Sequence, residues 1–276
     1  MNETSQACAS YLYLNGLATD RSVRLSSHIQ LLPATTDCHA DLFLGLGKTD
    51  TDVSVISLFL PHVKSQLRVE GLDTKDLAIK SWNALWDGLL LGALIGSEVM
   101  CNLNSDVPTE QLTPSSNIAV TNYQLRGFPR TSTPTLSKTD ISWIELHYES
   151  AWALLDDDAY RNAVHCLASH KWHSIPRAQL AVLWSGIEGL FGVDSEIVFR
   201  VSLYTALFLE SGSKDKQREL FSKVKELYKS RSRAVHGGKM KENAKEAVQE
   251  SAELLCRLIK RCAELKSLPN TGDLFP

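Results

Sequence analysis

The feature that most limits the fold is a change of hydrophobic period near residue 140. Before it, apolar residues come in short runs at 9–14, 23–31, 40–46, 53–60 and 67–70, separated by Asn-Gly, Asp-Arg, Pro-Ala and Lys-Thr-Asp. Alternation broken by turn formers predicts antiparallel strands. Asp73 or Thr74 then caps a long helix in which Leu77, Trp82, Leu85, Trp86, Leu89, Leu90, Ala93 and Leu94 recur at three and four, and Gly96 ends it. Trp82 and Trp86, one turn apart, are assigned to core packing. Segments 99–103 and 118–125 read as returning strands, inside and beside a loop marked by Pro108, Pro114, Pro129 and Pro134. From Ile141 onward strand signals vanish, and 143–155, 159–168, 177–191, 196–209, 214–236 and 243–265 all carry helical spacing. The expected fold class is α+β: residues 1–140 form an antiparallel sheet with a long packed helix, and residues 141–276 an all-α helical bundle.

Charge is unevenly spread along the chain. The formal net charge is -3, which excludes a global basic field. Residues 214–266, however, hold 15 basic against 8 acidic side chains, whereas residues 140–213 hold 4 against 10. An excess confined to one segment is either a solvated helix face whose charges are interspersed for solubility or the mark of an anionic partner. No run approaches the length of a membrane span, and the opening Met-Asn-Glu-Thr-Ser lacks the layout of a signal peptide, so a cytoplasmic protein is expected. Six scattered cysteines without a C-x-x-C pair fit reduced, packed thiols. His165, Cys166, His170 and His173 lack zinc spacing, and Asp156, Asp157 and Asp158 read as a turn and helix cap. No metal and no cofactor are expected.

Within the basic segment one arginine breaks a pattern. At about 100° per residue, Leu220, Val224, Leu227, Tyr228, Ala234 and Val235 share a helix face, and Arg231 falls near its middle. A guanidinium in an apolar stripe requires either a carboxylate opposite it or a pocket that uses a fixed positive charge. Glu188, alone in the apolar run 183–191, is the plausible counter-ion. His236 follows on the last turn, before the Gly237-Gly238 stop. Arginine and histidine together offer one permanent cation and one group that titrates near neutrality.

The segment from Ala181 to Gly237, with Leu-Trp-Ser-Gly-Ile-Glu-Gly-Leu-Phe early and Leu-Tyr-Lys-Ser-Arg-Ser-Arg-Ala-Val-His-Gly late, resembles the HEPN superfamily, within it the Apea-like HEPN domains. The shared signature is an arginine and a histidine four to six residues apart at the end of a late helix, here Arg231 and His236. The resemblance covers some 100 to 130 residues, and Ser232 departs from the asparagine, histidine or aspartate that often follows the arginine. It implies a metal-independent endoribonuclease, commonly dimeric, with two such motifs meeting in a composite site. Arg231 and His236 would be catalytic, Glu188, Ser232 and Tyr228 supporting, and Lys229, Arg233 and Lys239 phosphate contacts. The implied partners are RNA, with tRNA as one candidate, a second copy of the chain, and a regulatory protein or phage-derived trigger, without membrane association. Antiphage defence or a toxin system is the implied biology. The alternative is a non-catalytic HEPN-like module for RNA binding or dimerisation, controlled by a partner protein.

Overall fold

The computed structural model describes residues 8–120, 129, 133–236 and 243–274. The chain forms two compact units: residues 8–92 with 97–149, and residues 93–96 with 150–274.

The first unit is built on a six-stranded antiparallel sheet in the order β2-β3-β4-β1-β5-β6. The strands are β1 (Cys8–Asn15), β2 (Val23–Arg24), β3 (Ile29–Pro33), β4 (Val63–Gly71), β5 (Met100–Ser105) and β6 (Ile118–Val120). β1 is central, pairing Leu12 with Leu67 of β4 and Tyr13 with Leu103 of β5. Because side chains alternate across a strand, Tyr13, Leu103 and Val120 share one face, and Leu12, Leu67 and Leu31 lie in register on the other. Both faces are buried.

The Tyr13 face is covered by α1 (Ala40–Leu46) and α2 (Asp50–Phe59), whose Leu42, Leu46, Val55, Ile56 and Phe59 join its core. Both segments carry alternation that predicts strands, and the structure corrects this. His39 caps α1 by accepting the Leu42 N–H at 3.2 Å, and Thr49 caps α2 by accepting that of Asp52 at 3.1 Å. Asp41, Asp50 and Asp52 then suit the positive helix starts. The sheet therefore carries helices beyond the one expected.

The third, α3 (Thr74–Ile95), runs as its capping and spacing predict and ends at Gly96, where φ is +66°. It lies so close to β5 that a Cβ on Gly88 would come 2.3 Å from Cys101 Sγ. Trp82 does not pack in the core: it is 74% exposed, with Ile79 also on the surface.

Asp87 of α3 is buried. One carboxylate oxygen accepts the Tyr148 hydroxyl at 2.5 Å, and the other has no hydrogen-bond partner among the described residues. Tyr148 belongs to α4 (Lys138–Ala153), which starts five residues before the apolar spacing suggests because Ser137 and Asp140 cap each other's N–H groups.

The second unit contains α5 (Asp158–Ser169), α6 (Pro176–Phe191), α7 (Ile197–Leu209), α8 (Lys214–Val235), α9 (Ala244–Leu265) and a short α10 (Thr271–Leu274). The helices from α5 to α9 fall within three residues of their expected limits, since Asp157 and Ser213 cap α5 and α8, Pro176 opens α6 and Gly192 closes it at φ +59°. α6 is central, packing on α5, α8 and α9. Its Trp184 is fully buried, donates to Ser251 Oγ of α9 at 3.1 Å and meets Tyr228 of α8 edge to face at 5.1 Å. Among the described residues no helix is long and apolar enough to cross a membrane.

Burial lifts the Asp87 carboxyl to about 7, against the bond from Tyr148. The native state therefore keeps a proton that the unfolded chain releases from about pH 4. This contribution is whole below the unfolded pKa and is lost as pH rises towards 7. Asp87→Asn is expected to be more stable than the native chain at pH 8 by up to about 4 kcal/mol, at ~1.4 kcal/mol per pKa unit, and to show a much smaller gain at pH 5. Urea unfolding at the two pH values checks this.

Candidate functional site

The site lies where the end of α8 meets the start of α7. α8 buries Leu220, Val224, Leu227, Tyr228 and Ala234, while Val235, expected on that stripe, is 47% exposed. Arg231 stays on the buried side and finds Glu188 of α6: its Nη2 donates to Glu188 Oε2 at 3.1 Å and lies 3.0 Å from Oε1 without the geometry of a second bond. Both side chains are about one-fifth exposed (20% and 21%), so the pair is shielded without being sealed. The guanidinium also sits over the Tyr228 ring, 5.2 Å from its centre.

Glu188 and Tyr228 thus both bear on Arg231. Burial raises the Glu188 carboxyl above the usual carboxylate range, and Arg231 and Tyr228 pull it back. Tyr228 is raised in turn by burial and by the Glu188 charge. Among the described residues Arg231 Nε has no hydrogen-bond partner, although it is buried.

Arg231 and His236 both line a cleft of about 510 Å³, together with Tyr228, Ser232 and residues 194–199. His236 is the C-cap of α8 and is exposed, its N–H donating to Ser232 O at 3.0 Å. Arg231 and His236, which a straight helix would separate by about 140°, share this rim because the arginine is long and the histidine belongs to the helix's end.

The opposite wall is the start of α7. Glu196, its N-cap, has φ 48° and offers no side-chain cap, so the first-turn N–H groups of α7 lack the usual side-chain acceptor. Asp194 and Glu196 bring carboxylates to this wall, and Glu196 leans towards Arg200 at 3.6 Å. Phe199 is 52% exposed and meets Phe221 edge to face at 5.9 Å.

Of the other expected contacts, Lys229 is exposed and paired with Glu226 at 2.5 Å, and neither it nor Arg233 lines the cleft. Lys239, like the Gly237-Gly238 stop, lies outside the described residues. The histidine-rich stretch of α5 is engaged locally: His170 Nδ1 donates to Leu167 O at 2.6 Å, and His165 packs on Trp172.

One contributor, Arg177, has no trace in the motif. Its Nη1 donates to the carbonyls of Arg233 at 3.0 Å and Ala234 at 2.5 Å, closing the last turn of α8, where helix carbonyls otherwise lack partners. The signal was its position: a cation in the first turn of α6 opposes that helix's own dipole, which points to a partner elsewhere.

Two variants test this scaffold. Glu188→Ala strands the Arg231 charge and is expected to cost about 1–3 kcal/mol in denaturant unfolding, with Glu188→Gln costing less because it keeps an acceptor. Arg177→Ala should speed amide exchange at 232–236 selectively, as read by hydrogen–deuterium exchange, while the middle of α8 stays protected. No family model, no curated protein and no solved structure matches this chain.

Proposed function

We propose that the second unit is a metal-independent endoribonuclease of HEPN type, with the cleft between α7 and α8 as its reaction site. One observation carries this reading: a permanently charged arginine, held by a carboxylate and a tyrosine, shares a cleft with an exposed histidine. RNA is the substrate class that such a pair suffices for. The ribose 2′-hydroxyl is already placed next to the scissile phosphorus, so cleavage needs a proton removed, charge stabilised and a leaving oxygen protonated.

In this proposal His236 moves the proton. It takes the 2′-hydroxyl proton as the 2′-oxygen attacks phosphorus, the phosphorus–5′-oxygen bond breaks, and a second acid protonates the departing 5′-oxygen. The products are a 2′,3′-cyclic phosphate and a 5′-hydroxyl. Arg231 meets the negative charge that builds on the non-bridging oxygens, and its contacts with Glu188 and Tyr228 fix it before substrate arrives. Ser232 adds a hydroxyl donor, and exposed Phe199 offers a ring on which an unpaired base can stack. Each chain brings one His236, so a second copy supplying the acid is part of the proposal. The biology it implies is defence or toxicity through RNA degradation, restrained by the first unit or by a partner until triggered.

A second reading has its own observation. Asp194 and Glu196 stand on the cleft wall and Arg231 already has a carboxylate, which lowers the positive potential a phosphate would meet. This favours the non-catalytic module that binds RNA or dimerises.

The deciding experiment incubates the protein, His236→Ala and Arg231→Ala with single-stranded RNA, total tRNA and DNA of matched sequence in EDTA. The expected outcome is cleavage of RNA alone with cyclic phosphate ends, reduced by about 10²–10⁴-fold in His236→Ala. Full activity in that variant, or loss of native activity to EDTA, overturns the proposal. RNA retention without cleavage by all three proteins supports the module instead.

A further inference from the structure

The basic excess of the 214–266 segment is not absorbed by the Arg231 cleft. At the other end of α8 lies a second cleft of about 670 Å³, lined by residues 209–213, Lys216, Arg257, Lys260, Arg261 and Glu264. α8 has 22 residues, about 33 Å at 1.5 Å each, so the two clefts are separate sites.

We infer that this second cleft binds a phosphate-bearing ligand. Four cations face it: Lys216 from α8, and Arg257, Lys260 and Arg261 from α9. Two carboxylates share the cleft, and each holds one arginine, Glu210 to Arg257 at 2.6 Å and Glu264 to Arg261 at 3.1 Å. These contacts use only part of each guanidinium's five donors and restrict its rotation, which is the arrangement that suits arginine to a phosphate. Lys216 has no carboxylate within ion-pair distance among the described residues. The lining therefore keeps a net excess of two positive charges.

The loop that closes the cleft is fixed at both ends. Gln217 Nε2 donates to Glu210 O at 2.8 Å, and Ser213 O accepts the Gln217 N–H at 2.9 Å. Between them Ser211 and Gly212 are exposed, and a Cβ on Gly212 would meet nothing within 4 Å. Packing therefore gives no reason for a glycine there, whereas an approaching ligand would benefit from bare backbone. The volume is that of a small-molecule site, large enough for the phosphates of a free nucleotide or for a stretch of RNA backbone. Both sources present the same chemistry, and the assignment does not depend on catalysis at His236.

The test uses the full chain at low salt and inorganic tripolyphosphate as probe, with binding read by calorimetry. Lys216→Glu/Lys260→Glu is compared with Lys225→Glu/Lys245→Glu, which makes the same charge change on the same two helices outside the cleft. Circular dichroism confirms that both fold. The expected result is a loss of about tenfold or more, ~1.4 kcal/mol, in the cleft variant and less than about twofold in the control. Equal losses in the two variants, or no binding by the native chain, overturn the inference. Competition with ATP and with a 2′-O-methyl oligoribonucleotide, which cannot be cleaved by its own 2′-oxygen, then separates the sources. Displacement by either supports the inference, and displacement by neither overturns it.

Discussion

The ion pair between Arg231 and Glu188 fixes the relation of α8 to α6. It puts two charges into an interface otherwise made by Trp184, Tyr228 and leucines. Stability does not explain such a pair, since desolvation consumes most of its attraction and apolar residues of like volume often do as well. What the pair provides is a fixed position. Trp184 supports Tyr228, Tyr228 lies beneath Arg231, and Glu188 holds the guanidinium from the other helix. The core thus determines where a positive charge stands in the cleft.

This part of the site was legible in the sequence because it breaks a rule. An arginine in an apolar stripe and a glutamate in an apolar run each demand a partner, and each is the other's plainest candidate. The helices of the second unit were legible for a related reason, since long segments repeat their period often enough to be unambiguous and Asp157, Ser213, Pro176 and Gly192 mark their ends. Short segments do not. In α1 and α2 the same apolar residues satisfy alternation and helical spacing, and the arbiters are single caps, His39 and Thr49. Thr49 sits inside a Lys-Thr-Asp stretch that reads equally well as a turn, and a histidine is an uncommon cap. Trp82 failed differently: its spacing places it on a helix face, but spacing does not say that anything covers that face.

What the sequence hides at the site acts through backbone or through folding together. Arg177 works on the carbonyls of Arg233 and Ala234, which every residue possesses, so no residue type at 233 or 234 announces it. Residues 194–199 reach the cleft only because α7 packs on α8. Their carboxylates set the charge of that wall, where Asp194 and Glu196 stand opposite Arg231.

The distribution of charge along α8 follows the same logic. Three of its cations are matched by carboxylates: Arg218 meets Asp215, Lys223 meets Glu250 and Lys229 meets Glu226. A positive excess stands at its start, as Lys216 with the α9 cations, whereas Arg231 at its end is matched by Glu188 and faces Asp194 and Glu196. A helix stabilised only by its own dipole would carry acids in its first turn and bases in its last. α8 satisfies the second condition with Arg233 but starts Lys-Asp-Lys, placing two cations where its N–H groups already make the field positive. That repulsion is relieved if an anion sits there, and interspersed charge for solubility would not need to concentrate it at a cleft.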